Sequence, residues 1–440
     1  MSEAGLSYEQ APPFAAPLRF FLIAPLFLLL AAGLALFLPD WPGNRWSPAA
    51  LALTHLITLG YLAMVMFGAL LQILPVVLGA PVPAVRLVAW LGLLGLSIGT
   101  PSLTLGFLHG EPLWLYAGML FLATGVAPFI VAITISLIRT TAPHIAWPIR
   151  QASLSLFVTV ALGIGLAGGL AEIWPIPAAF ELTTLHAAWG LIGWVLVLVI
   201  GVAYQVVPML QITPPYPARL SRWLTWIMLA GLLMLSGVRI VESETVSNIG
   251  VLLIAAASIG FALTTLHIQS RRRRKIPDVT LDFWRLGMAS LIIAALQFLL
   301  LAWLPETWLA PAQISLGLLF LLGFATSVIS GMLYKIVPFL AWFHLKTQTG
   351  AKIGTIPNMK EMIPDRLARL HFRLHLAALA LLLPAPFLSA TFLPAYFLSV
   401  PAAEFAMTPG LMLLAASAIR QGLNLLHARR LFLRFGGRLD

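Results

Sequence analysis

Apolar stretches about twenty residues long, separated by short polar breaks, run the length of the chain. Twelve such runs cover roughly residues 18–38, 50–75, 86–107, 113–138, 151–172, 183–208, 222–240, 248–268, 284–304, 312–340, 370–392 and 405–427. A helix rises about 1.5 Å per residue, so ~20 apolar residues cross the hydrocarbon of a bilayer. The breaks hold Pro, Gly and most of the charged residues, which is the chemistry of connecting loops. The pattern predicts an all-α polytopic membrane protein of about twelve transmembrane helices.

A second pattern is laid over the first. The decapeptide GALLQILPVV at 68–77 returns as GVAYQVVPML at 201–210 and as GMLYKIVPFL at 331–340. With Pro75, Pro208 and Pro338 aligned, glycines fall seven residues earlier (Gly68, Gly201, Gly331) and fifteen earlier (Gly60, Gly193, Gly323) in every copy. Tyr204 matches Tyr334, and Gln72 matches Gln205, with Lys335 as the third polar counterpart. The copies lie 133 residues apart (75 to 208) and 130 apart (208 to 338). Recurrence at a fixed period marks a repeated structural unit. The expectation is one transmembrane domain, 1–440, holding three pseudo-symmetric four-helix units at approximately 18–138, 151–268 and 284–427.

Composition agrees with the class and adds an orientation. Hydrophobic residues make up 60% of the 440 and charged residues 9%, with mean hydropathy +0.97; soluble domains carry about 25% charged residues. Lys and Arg follow the even-numbered runs: Arg86, Arg139, Arg150, Arg219, Arg222, the cluster RRRRK at 271–275, Lys346, Arg366, Arg369, Arg373 and Arg429 onward. Breaks after the odd runs are acidic or neutral, with Asp40, Glu111, Glu172, Glu181, Glu242, Glu244, Glu306 and Glu404. By the positive-inside rule both termini are cytoplasmic, in a membrane of the bacterial inner type. The net charge of +11 is that inward bias, and the arginine cluster sets topology rather than binding nucleic acid. The polar N-terminus has no basic region before the first apolar run and does not read as a cleaved signal peptide. With no cysteine, thiolate metal sites, iron–sulfur clusters and covalently attached haem are excluded.

Candidate chemistry sits in the long second and sixth runs. His55 lies twenty residues before its aligned proline and His186 twenty-two, which puts both at one depth near the outer side. An imidazole within a span is a functional candidate, because burying it unpaired is costly. Glycines lie below each: Gly60 and Gly68 under His55; Gly190, Gly193 and Gly201 under His186. They serve either close helix packing or admission of a flat macrocycle beside an axial ligand. The third copy has no histidine at that level, only Gln313 nearby. Arg45 and Arg239 are outer-side exceptions to the charge rule, placed to meet haem propionates or lipid phosphate. The other histidines read as peripheral. His109 and His144 fall in loops, and His267 and His427 end helices on the basic side. His344 reads as interfacial, and His371 and His375 as an interfacial helix start among Arg366, Arg369 and Arg373. Lys335 reads as a snorkelling lysine.

A helix with a histidine near its outer start, glycines below it and LPVVLGAP at its inner end resembles the haem-carrying helices of the haem–copper oxidase subunit I and nitric oxide reductase large-subunit superfamily. The resemblance is specific around residues 51–82, 183–214 and 313–344. It implies twelve helices in three groups of four, and a low-spin haem between histidines of neighbouring groups. The seventh run lacks the histidines that family uses for its second metal, and the outer half of the tenth lacks those it gives to its two haems. The implied haem pair is therefore His55 and His186, in a site rotated by the pseudo-threefold repeat, with no oxygen-reducing centre.

The resulting expectation is a b-type cytochrome-like electron-transfer protein binding one haem b, without catalytic residues of its own, as the membrane subunit of an oxidoreductase. The bilayer surrounds it, quinol and a c-type cytochrome are its expected redox partners, and acidic outer loops are available to dock a basic carrier. Two alternatives remain open: a haem protein responding to nitric oxide or oxygen, and a haem-free small-molecule transporter.

Overall fold

The computed structural model describes residues 8–38, 41–140, 143–241, 243–273, 275–350, 355–390 and 402–439. Among these the chain is helical throughout and has no strand. The helices are α1 (Ala15–Ala35), α2 (Pro48–Leu78), α3 (Val85–His109), α4 (Pro112–Ile138), α5 (Ala146–Leu170), α6 (Ala179–Gln211), α7 (Ala218–Val241), α8 (Glu244–Ser270), α9 (Val279–Trp303), α10 (Glu306–Thr349), α11 (Asp365–Leu382) and α12 (Ala402–Arg434). Eleven segments among the described residues, from α1 through α11, are long and apolar enough to cross a membrane. The chain is a multi-pass membrane protein. The twelfth expected run, 405–427, falls within α12, where the side chains of residues 402–406 lie outside the described residues.

Helix ends follow local chemistry. Ser47 caps α2, its hydroxyl accepting from the Ala50 N–H, with Pro48 in the first turn where its missing N–H costs nothing. Asp278 caps α9 through the Thr280 N–H at 3.0 Å. Gly110 and Gly350 close α3 and α10 in the left-handed region, at φ +69° and +63°. Prolines stand inside several spans, Pro75, Pro208 and Pro338 among them; neighbouring helices in a membrane bundle make good the lost backbone bond.

The three long helices share a feature that hydropathy does not announce. Each opens into eight residues of π-helix: Leu56–Ala63 in α2, Trp189–Leu196 in α6 and Leu319–Thr326 in α10. Every one begins nineteen residues before its aligned proline (56 to 75, 189 to 208, 319 to 338) and ends twelve before it. π-Helix is rare and intrinsically poor, so three copies in one register make the repeat structural as well as textual. The recurring glycines reinforce it, each packing on the helix before its own. A Cβ on Gly60 meets Phe27 of α1, one on Gly193 meets Ser155 of α5, and one on Gly323 meets Ser290 of α9. Gly68, Gly201 and Gly331 pack likewise on Phe21, Pro148 and Phe283. What recurs is thus a helix pair, a straight helix followed by a long one with a π segment. In the membrane windows of α2, α6 and α10, 83%, 67% and 89% of residues are buried, against 56% or less in every other span, so these three are the core elements.

The chain divides into two compact units. One comprises residues 1–12 and 69–275, the other 13–68 and 276–440. The first holds α3 to α8, with α3 and α4 locked by Gly95 against Gly125, where a Cβ on either meets the other's backbone. The second holds α1, the start of α2, and α9 to α12; α11 and α12 pack along each other, and Pro25 of α1 lies against Gly422 of α12.

Candidate functional site

His55 is the last α-helical residue before the first π segment. Its Nδ1 lies 2.8 Å from the Leu51 carbonyl oxygen one turn back. A carbonyl only accepts, so Nδ1 carries the proton and the lone pair of the neutral ring is on Nε2. In the other unit, His186 precedes the second π segment by three residues, and its Nδ1 lies 3.0 Å from the Thr159 carbonyl of α5. The same tautomer follows. A backbone carbonyl on the far nitrogen is how metal-bound imidazoles are usually oriented. Both rings are half-buried. Each therefore has the donor chemistry of an axial ligand.

The expected glycine cradle is filled by protein. The space beside Gly60 is taken by Phe27, beside Gly68 by Phe21 and Pro17, beside Gly190 by Thr159, and beside Gly193 by Ser155. These glycines admit neighbouring helices. The glycine that does touch a candidate histidine is Gly163 of α5, where a Cβ would stand 3.0 Å from His186 Cε1. It lies on the preceding span, so a search along the histidine's own helix passes it by.

Arg45 lies in the break before α2, its guanidinium 4.2 Å from the centre of the Trp46 ring. Its Nε is buried without a hydrogen-bond partner, and burial pushes its pKa below the ordinary arginine value. A cation held this way still has donor capacity for an anion. The side chains of Arg239, His144 and Glu404, together with Asp40 and Glu242, lie outside the described residues.

A polar cluster lies elsewhere among the described residues, inside the unit that holds α9 to α12. His371 and His375, expected at an interface, are 0% and 1% exposed. The stripe Ala368, His371, His375, Ala378, Leu379 and Leu382 is the buried face of α11, while Arg366 and Arg373 occupy the exposed one. The charges that suggested an interface belong to the opposite side of the same helix. His371 Nδ1 lies 2.8 Å from the Tyr334 hydroxyl, which also accepts from Asn424 Nδ2 at 2.8 Å. Asn424 Oδ1 in turn accepts from Arg420. His375 Nε2 lies 2.9 Å from Ser327 Oγ and 3.2 Å from the Leu322 carbonyl, which belongs to the third π segment. Tyr61, inside the first π segment, bonds Ser330 Oγ at 3.0 Å and Gln421. Phe283 closes the cluster, its ring 5.0 Å from His371 and 5.9 Å from His375. The signal available in sequence was polar residues at helical spacing in apolar helices: Ser327, Ser330 and Tyr334 on α10, Gln421 and Asn424 on α12.

Lys335 is paired rather than snorkelling, its Nζ 2.7 Å from Asp278 Oδ2. Burial raises the Asp278 carboxyl pKa, but the bonds from Lys335 and Thr280 outweigh it and leave the group below the usual carboxylate value. No group of three or more His, Cys, Asp or Glu among the described residues is placed to hold a metal ion. The chain matches no protein-family model and no curated protein.

Proposed function

We propose that this chain is a b-type cytochrome-like membrane protein in which His55 and His186 supply the two axial imidazoles of one haem b. The observation that carries the reading is the matched tautomer: each ring gives its Nδ1–H to a backbone carbonyl and keeps its lone pair on Nε2, just ahead of equivalent π segments. The donor set fits iron porphyrin, which prefers neutral imidazole. The glycines Gly60, Gly68, Gly190 and Gly193 contribute helix packing beside the proposed site. When bound, the haem supplies one-electron chemistry, and two imidazoles fill the positions a gas would otherwise take. Arg45 is the residue available to a propionate. The remote resemblance to the oxidase superfamily supports three four-helix groups, a quinol donor and a c-type cytochrome acceptor. The Lys and Arg pattern supports a bacterial-type inner membrane with both termini cytoplasmic.

Reduced-minus-oxidised spectra of the purified protein, with and without carbon monoxide, test this. The expected result is a b-type spectrum unchanged by the gas. A Soret band shifted by carbon monoxide makes the protein a gas-responsive haem protein, and the absence of haem leaves the transporter reading.

A further inference from the structure

We propose that His371 and His375 form a buried binding site for a single hydroxyl group, which accepts a hydrogen bond from His371 Nε2–H and donates one to His375 Nδ1. The inference comes from placing every hydrogen in the cluster. Asn424 Oδ1 faces the Arg420 guanidinium, and its Nδ2 faces the Leu367 carbonyl and the Tyr334 hydroxyl, which fixes the amide orientation. Tyr334 therefore accepts from Asn424, and its own hydrogen goes to the other partner, His371 Nδ1. That leaves the His371 proton on Nε2. At His375, Nε2 is 2.9 Å from Ser327 Oγ, whose own hydrogen goes to the Leu322 carbonyl, and 3.2 Å from that carbonyl, which only accepts, so Nε2 is protonated and Nδ1 is not.

The two nitrogens left over are His371 Nε2 and His375 Nδ1, both buried and both without a hydrogen-bond partner. They are complementary: one is a donor, the other an acceptor. They sit one helical turn apart, with ring centroids separated by 6.2 Å. A ring nitrogen lies about 1.2 Å from its centroid and a hydrogen bond runs about 2.9 Å, so the ring separation is compatible with one bridging oxygen. Adding a proton to His375 would not repair the pair, because it would produce a second unmatched N–H. A hydroxyl satisfies both at once, and a buried water ordinarily makes two to four such bonds. Phe283 offers neither donor nor acceptor to either ring. With the hydroxyl bound, the hydrogen bonds run in one direction, from Tyr334 through His371 and His375 to the Leu322 carbonyl.

The hydroxyl is that of water or of a small organic molecule, and the reading is independent of haem at His55 and His186. The test is solid-state NMR of the full chain in bilayers with 15N-labelled histidine, assigned with H371Q and H375Q. The expected spectrum has His371 protonated at Nε2, His375 unprotonated and hydrogen-bonded at Nδ1, and a hydroxyl proton close to both. Magnetisation arriving from exchangeable water identifies water; arrival from carbon-bound protons, with a small molecule in the extract by mass spectrometry, identifies an organic hydroxyl. Tyr334→Phe removes the donor to Nδ1 and should shift His371 toward the Nδ1–H form, an effect loss of packing alone does not produce. Wild-type His371 protonated at Nδ1, or no hydroxyl proton near either nitrogen, overturns the proposal.

Discussion

Gly163 shows how a single missing methyl positions a histidine. His186 bonds back to α5 through the Thr159 carbonyl, one turn before Gly163, and its Cε1 lies 3.0 Å from the position a Cβ would take. Gly163→Ala forces the ring off that position by a few tenths of an ångström or breaks the bond, at a cost on the order of 1–3 kcal/mol for overpacking. Gly165, two residues on, faces open space, so Gly165→Ala is a control that should be neutral or slightly stabilising. The expected outcome is a weakened or altered low-spin haem spectrum in the first variant and an unchanged one in the second. Equal spectra would detach Gly163 from the site. At this scale the sequence was a partial guide. His55 and His186 stand out because they are isolated in apolar runs. Gly163 does not, since it is one of many glycines in the span and its partner arrives from another helix. His371 and His375 were misplaced because hydropathy sums over all faces, and Arg366 and Arg373 outweighed a buried stripe that only the 3.6-residue period separates.

Among the elements, the apolar runs translate into helices with ends displaced by a few residues. The tenth is extended at both ends: 312–340 was expected, and α10 runs from Glu306 to Thr349. Its ends carry polar residues that hydropathy excludes but an unbroken backbone hydrogen-bond ladder includes. The π segments have no hydropathic mark at all; the glycine at minus fifteen, Gly60, Gly193 or Gly323, lies inside each and was the one trace of them in the sequence. The start of α9 is held by Asp278, which caps the helix and pairs with Lys335 of α10. Asp278→Asn keeps a good capping side chain and removes the charge. Thermal denaturation in detergent should find the variant less stable at neutral pH by on the order of 1 kcal/mol. Because the folded-state pKa is depressed, the carboxylate's contribution is present above the ordinary value of about 3.9 and lost as pH falls through the folded one. The gap between wild type and variant should therefore close below about pH 4. A gap that persists in acid would assign the loss to the cap instead.

Across the whole molecule, the class was plain from composition, and the repeat from three prolines and six glycines. The packing of α2, α6 and α10 on their preceding helices and the shared π register carry that repeat into three dimensions. The proposed orientation rests on the lysine and arginine asymmetry. Reporter fusions within 271–275 and after Asp440 should both report the cytoplasm, and either one reporting the outer side would refute the assignment. The departures from the oxidase-like pattern, above all the missing histidines in α7 and in the outer half of α10, restrict the proposed chemistry to electron transfer through two imidazoles. Electron paramagnetic resonance of the oxidised, purified protein reads that coordination most directly. The account predicts a low-spin ferric signal in the wild type that is lost in both His55→Ala and His186→Ala while the variants still insert. A wild type without haem iron, or a low-spin signal that survives in both variants, contradicts it.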